Sequence, residues 1–360
     1  MHRDGTMETI RDDAPRTPRL TASRCREKPV AGRVLAVLSL FEVSACGART
    51  GLVVPPIHAD AGVTDARTCS MPTQSCAHDA LMGCGAVLVP ASDTFVLGER
   101  DPHYQGGVQP WAYPSPGPVR ITEAFCADTY EVTVARFREY WHAGMPSPVG
   151  NVATPGGSIS GPFVPREPRA MESDPQCNWT RTSGARDEHP VNCVDWATAM
   201  AFCVWDGGRL ATETEWEWMA RGVAVGGLSA GRGFTWGDTD PSGSASSPCD
   251  HAQWNFCAGD DGAVTRRVGS FAPTGGLFDL AGNLWEWVGD RFRFYPDSTC
   301  WGGAARTDPL CDVASEPTRV GRGGSWDAWQ LFQIRASVRA QIEPERQGNS
   351  VGFRCVHSIQ

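Results

Sequence analysis

The chain has 360 residues and a formal net charge of −9, enough for one large domain or two ordinary ones. An acidic balance without a basic patch of interleaved aromatics argues against nucleic-acid binding. The 40 glycines, 27 prolines and 14 tryptophans argue against a helical bundle and for a loop-rich fold pinned by aromatic anchors. Every tryptophan falls between Trp111 and Trp329, so the core is expected there.

Near the amino terminus Arg24, Arg26, Lys28 and Arg33 precede the apolar run Val34 to Phe41. That run is too short to span a bilayer but fits the core of a signal peptide. It leads into Val43-Ser44-Ala45-Cys46, and small residues before a cysteine resemble a bacterial lipobox. Residues 1–45 are then a leader and Cys46 the lipidated first residue of the mature protein. Gly47 rather than an aspartate after Cys46 favours the outer membrane, so the expected location is the cell envelope. The competing reading is a disordered tail with a chance apolar run, and Glu42 inside the segment favours it. Of 14 cysteines, setting aside Cys25 and Cys46 leaves an even, dispersed set. No Cys-x-x-Cys pair occurs, which argues against a zinc ribbon or thioredoxin-like site and for disulfides in an exported chain.

Residues 46–85 read as a tether followed by a small segment bearing Cys69, Cys76 and Cys84, with no sustained helical or strand period. Residues 86–89 read as a strand. Residues 119–125 alternate apolar and polar as one half-buried strand does. Three helices are expected. The first places Val134, Phe137 and Trp141 on one face behind a Thr133 cap. The second starts at an Asp195 cap, turns Trp196, Met200, Cys203 and Val204 inward, and ends at Gly207-Gly208. The third opens with a Thr212/Glu215 capping box, faces Trp216, Met219 and Ala220 to the core, and ends at Gly222. Residues 319–326 and 351–356 look like strand edges with tight turns. Residues 144–190 and 223–250 are long loops, of a length that usually carries function or disulfides.

The run from Gly276 to Trp287 carries the clearest chemistry. Asp279 and Glu286 are hard oxygen ligands, and the Gly282-Asn283 turn between them can expose carbonyls, as calcium sites require. The other reading is that Asp279 caps a turn and Glu286 pairs with an arginine such as Arg291. His103, His142, His189, His251 and His357 are scattered. His189, before Pro190, reads as a packed or surface histidine rather than a ligand. No Ser-His-Asp spacing or nucleophile elbow is evident.

Taken in order, several motifs carry a family resemblance. They are Phe125 to Tyr130 with Glu131-Val132-Thr133; His189-Pro190-Val191-Asn192 through Asp195-Trp196; Arg209 to Trp218; and Phe234-Thr235-Trp236-Gly237. Asn283-Leu284-Trp285-Glu286-Trp287, Arg322-Gly323-Gly324-Ser325-Trp326 and Gly352-Phe353-Arg354-Cys355 complete the set. Over residues 86–357 the chain resembles the formylglycine-generating enzyme, or sulfatase-modifying factor, family. The resemblance implies an α+β, loop-rich variant of the C-type-lectin-like fold with little regular secondary structure.

Active members of that family oxidise a peptide cysteine to an aldehyde with oxygen and a copper ion held by two cysteines. The matching interval here, Trp326 to Arg335, has no cysteine, methionine or histidine. Cu(I) prefers soft thiolates, so copper is not expected. One family disulfide falls on Ala220 and Ala336 and is absent. The other falls on Cys203 and Cys355. Cys177 with Cys193, and Cys300 with Cys311, are close enough in sequence to pair locally. The resemblance also implies a structural calcium site at Asp279, Gly282, Leu284 and Glu286. A weaker one falls at Gln253, Trp254, Asp261 and Ala263, where Gln253 replaces an asparagine. Ser325, Trp326 and Trp329 flank the vanished copper site. They are candidates for a groove taking a peptide, protein or glycan, with core packing the alternative. The expectation is a lipoprotein with a non-catalytic, calcium-stabilised binding or scaffold domain. The alternative is a copper- and oxygen-dependent oxidase, or another metal-dependent oxidase, on the same fold.

Overall fold

The computed structural model describes residues 69, 73–76, 83–98, 116–221, 233–237, 248–255, 257–295, 297–301 and 306–359. Cys46, the apolar run before it and Gly222 lie outside the described residues.

Three helices begin where a side chain can take up the free backbone amides of a first turn. In α1 (Val134–His142) the Thr133 hydroxyl accepts from the Arg136 amide at 3.3 Å. In α2 (Trp196–Trp205) the Asp195 carboxylate accepts from Thr198 at 2.8 Å. α3 (Glu213–Ala220) opens with the reciprocal Thr212/Glu215 box. α2 reads apolar on nearly every side, because it is sandwiched between α1 and the sheets: Met200, Phe202 and Cys203 are fully buried. A short fourth helix, α4, covers Ser298–Trp301.

The strands are short. In chain order they are β1 (Ala86–Val89), β2 (Phe95–Leu97), β3 (Gly117–Arg120), β4 (Phe125–Asp128), β5 (Val152–Thr154), β6 (Gly157–Ile159) and β7 (Arg209–Leu210). β8 (Trp285–Arg291), β9 (Arg306–Thr307), β10 (Arg319–Arg322), β11 (Arg339–Ile342), β12 (Val351–Gly352) and β13 (Cys355–Ser358) follow. One antiparallel sheet runs β1-β4-β13-β7 and a mixed sheet runs β11-β10-β8-β12. A third joins β2, β3 and β9, and β5-β6 is a hairpin inside the long 144–190 loop.

The single strand expected over 119–125 is two strands in two sheets. Ile121 leaves the ladder to donate to the Ser92 hydroxyl at 2.6 Å, and Thr122 turns to the Asp308 carboxylate. The apolar-polar alternation of the residue types runs on through the break, although β3 buries only Val119 and β4 buries all four of its residues, so period alone cannot reveal it.

The twelve described cysteines form six disulfides: Cys69–Cys126, Cys76–Cys84, Cys177–Cys193, Cys203–Cys355, Cys249–Cys257 and Cys300–Cys311. Ala220 and Ala336 are both buried in one apolar cluster with Trp216 and Met219, so packing stands where a bond is absent. The segment before β1 is bonded to the fold. Ser75 donates through its amide and hydroxyl to buried Asp206 at 2.7 and 2.9 Å, and Arg136 ties Ser75, Asp128 and Asp206 together.

Candidate functional site

The turn before β8 is built from left-handed backbone: Asp279 at φ 57°, Gly282 at 72° and Asn283 at 58°. Gly282 cannot carry a side chain, since a Cβ there falls 2.3 Å from the Gln253 carbonyl. That carbonyl accepts from the Asn283 amide at 2.8 Å, and the Gly282 amide donates to Gly323 at 2.9 Å. The turn is thus stitched to both the Gln253 segment and the Gly-Gly-Ser turn after β10.

Three carboxylates and one guanidinium meet there. Glu286 is fully buried and held by Arg354, with Nε to Oε2 at 2.8 Å and Nη2 to Oε1 at 2.6 Å, while Trp216 Nε1 donates to Oε2 at 2.7 Å. The partner arginine is therefore Arg354. Arg291 instead meets Asp312 at 3.0 Å. Glu131, on the segment before α1, accepts from Asn283 Nδ2 at 2.6 Å and from the Leu284 amide at 3.2 Å. Asp279 Oδ2 accepts from the Gly269 amide at 2.6 Å, but Oδ1 is buried without a partner.

Burial, opposed by the Gly269 amide and Arg354, pushes the Asp279 carboxyl up to about 6. Burial first, and then the charges of Asp279 and Glu286, push Glu131 well above the usual carboxylate range. An orphaned buried acceptor beside excess negative charge fits a hard cation. Oε1 of Glu286, with one donor, retains a lone pair for it. Among the described residues no three His, Cys, Asp or Glu side chains form a metal-binding group. A calcium held here would take part of its shell from the carbonyls of Gly282 and Leu284.

The second set is arranged differently. Gln253 is fully buried, and its amide nitrogen donates to the Cys257 and Val264 carbonyls at 2.7 Å each, leaving Oε1 without a donor. Asp261 lies at the surface, where Arg267 takes its carboxylate at 2.6 Å. Trp254 and Ala263 are buried, and the Ala263 amide closes a turn on Asp260 at 2.7 Å. The orphaned Gln253 oxygen fits a cation, and the Arg267 pair competes for Asp261. His189 is buried, with Nδ1 2.9 Å from the Thr265 hydroxyl. Burial, and then the charge of Arg186, push it down to about 4.

The Gly-Gly-Ser turn after β10 closes against residues 331–334, where a Cβ on Gly324 meets the Gln333 carbonyl at 2.3 Å. Ser325 is fully buried and its hydroxyl meets Asp327. Trp326 is buried, its indole N–H reaching the Asn349 carbonyl at 3.3 Å. Of the three expected groove residues only Trp329 is open, at 64% exposed. The interval Trp326 to Arg335, where no copper ligand was expected, presents Ala328, packed with Phe234, Ala252, Trp254, Ala281 and Ile334. Among the described residues every cysteine is in a disulfide. The residues present do not fit a thiolate-bound copper ion.

In the sequence Glu131 and Arg354 stand only as parts of motifs. Nothing local marks them as neighbours of Glu286, since they join it across 155 and 68 positions.

The family described as "Sulfatase-modifying factor enzyme 1-like domain" matches residues 80–359. A formylglycine-generating enzyme of Thermomonospora curvata is 31% identical over 303 residues, covering 75% of this chain and 92% of the relative. The "Inactive C-alpha-formylglycine-generating enzyme 2" of Bos taurus is 33% identical over 185 residues, covering 48% of this chain and 52% of that protein. The solved structure of PvdO from Pseudomonas aeruginosa superposes with a TM-score of 0.53 at 24% identity, over 76% of this chain and 94% of that one. That likeness is one of fold.

Proposed function

Because the chain belongs to the sulfatase-modifying factor (formylglycine-generating enzyme) family, we propose that it is a member without the copper chemistry. It serves as a calcium-stabilised binding or scaffold domain carried on a lipid-anchored, exported chain. One observation carries this reading: residues 326–335 offer no soft ligand, Ala328 is packed in an apolar cluster, and every described cysteine is in a disulfide. A relative named as inactive supports it, since loss of activity has precedent among the chain's relatives. Calcium, at Asp279, Gly282, Leu284 and Glu286 and more weakly at Gln253, Trp254, Asp261 and Ala263, is proposed as a structural tie between loops. The partner is a peptide, protein or glycan, with Trp329 the aromatic contact. Cys46 is proposed to hold the chain at the outer membrane.

The test loads the exported chain with copper under oxygen and offers a Cys-x-Pro-x-Arg peptide, with the Thermomonospora curvata enzyme as control. Mass spectrometry is expected to find no aldehyde from this protein. Aldehyde would overturn the reading in favour of an oxidase whose metal is held elsewhere. The anchor is tested separately: Cys46→Ala is expected to move the protein from the membrane to the soluble fraction. Unchanged fractionation sinks that part alone.

A further inference from the structure

The start of β10 floors a cleft of about 670 Å³, at the opposite end of that strand from the Ser325 turn. Its wall includes Trp196 at the amino end of α2, Arg291 and Arg319. Arg319 is only 2% exposed, and its guanidinium carbon lies 3.6 Å from the centroid of the Trp196 ring. Only one of its three nitrogens is used: Nη1 donates to the Gly289 carbonyl at 2.7 Å and to Asp312 Oδ1 at 2.9 Å. Among the described residues no acceptor meets Nε or Nη2, in a side chain that is almost wholly buried.

That unused pair is the edge on which a guanidinium grips a carboxylate with two parallel hydrogen bonds. The molecule uses the same edge elsewhere. Arg354 takes Glu286 with it, Arg181 takes Glu167 at 2.7 and 2.8 Å, and Arg339 takes Glu213. Arg291 and Arg319 share the single Asp312 oxygen, while the lining as a whole carries Arg166, Arg291 and Arg319 against Asp195, Glu316, Glu343 and Glu345. Burial pushes Arg319 down to about 10, with Asp312 opposing and Arg291 adding to it.

We propose that this cleft binds a carboxylate group on an apolar body, the carboxylate taking the free Nε/Nη2 edge of Arg319. The chemistry is that of a peptide carboxy terminus or a small organic acid. Two features select a single carboxylate over a phosphate or a polyanion. The lining also carries the exposed Glu343 and Glu345, which repel multiple charge, and it presents Pro162, Val164 and Pro317 for an apolar chain. The site does not depend on the absence of copper ligands.

The test follows the side-chain Nε–H signal of Arg319 by nitrogen-15 NMR in the full chain, titrated with isovalerate and with acetyl-Pro-Pro-Leu. The corresponding amides, inorganic phosphate and sulfate are the controls. A saturable shift with the acids but not the amides is expected. Arg319→Lys, which keeps the charge and loses the fork, is expected to bind at least about tenfold more weakly. Tighter binding of the peptide names a chain terminus as the source, and equal binding names a small acid. If Arg319 does not respond to either acid, responds equally to the amides, or responds only to phosphate or sulfate, the proposal fails. Should Arg319→Lys not fold, the signal in the unmodified chain still decides; unchanged affinity in a folded Arg319→Lys also overturns it.

Discussion

Glu217 on α3 offers a sharp test of how this core holds its charge. It is fully buried and accepts from the Gly98 amide at 2.8 Å, from Arg221 Nε at 3.0 Å and from Arg322. Both arginines are themselves buried. Burial raises its carboxyl and the two guanidinium groups outweigh that, so the net shift is downward and it stays ionised. Glu217→Gln removes the charge and turns an N–H₂ toward N–H donors. Glu213 lies 3.8 Å from Arg322 and is already gripped by Arg339. Breaking a buried pair while leaving its partner costs about 3–5 kcal/mol. With about 2.1 cal/mol/K of unfolding entropy per residue over the family-matched span of residues 80–359, that lowers Tm by roughly 5–8 °C. Calorimetry with disulfides intact measures it. Arg267→Gln, which breaks the surface pair with Asp261, is the control and is expected to move Tm little, because solvent screens an exposed pair. Replacing Glu217, Arg221 and Arg322 together by methionine is expected to recover most of the loss, because it leaves no orphaned charge. If Glu217→Gln is no worse than Arg267→Gln, the network contributes nothing and the reasoning is wrong.

Removing Cys203–Cys355, whose partners are 152 positions apart, is expected to cost about 5 kcal/mol by denatured-state entropy, against about 2.5 for Cys76–Cys84, which closes 8; urea midpoints of the paired alanine variants give the order, and a reversed order refutes the loop argument. Chelation is expected to lower Tm, since an ion bound only by the native state stabilises it by about 2.7 kcal/mol at a hundredfold excess over Kd, and Asp279→Asn to abolish the difference; a melting curve indifferent to chelator rules the ion out. At His357 burial opposes the charge, but the hydrogen bond and charge of Asp128 outweigh it, raising the histidine above 6.5. Its contribution is therefore full below pH 6.5 and lost as pH rises through the folded value, and a stability-versus-pH curve that His357→Gln does not flatten above 6.5 contradicts this.

The helices were legible because their starting signals are local. Thr133, Asp195 and the Thr212/Glu215 box each act within three residues. The left-handed turn from Asp279 to Glu286 was legible for the same reason, as it is one short run. What stayed hidden was assembled over distance. Cys69 pairs with Cys126 and not with its neighbours Cys76 or Cys84. Glu286 takes Arg354 and not the nearer Arg291. Trp326 and Trp329 read alike in sequence, but only the first reaches a carbonyl inside the fold, at Asn349. The Arg319 cleft left no trace, because its meaning lies in an unfilled edge and not in a residue type.

The bond from Cys69 to Cys126 also sets a route for mechanical load. β4 is an inner strand, flanked by β1 and β13. Tension arriving from the preceding chain at Cys69 passes through the disulfide into this inner strand, bypassing β1. Part of any pull reaching Ser75 is taken by Asp206 and Arg136, at the carboxy end of α2 and within α1. A pull applied at Cys69 is thus taken up in the middle of the sheet. Pulling must break a covalent link or shear two ladders together, where an edge attachment unzips one hydrogen bond at a time.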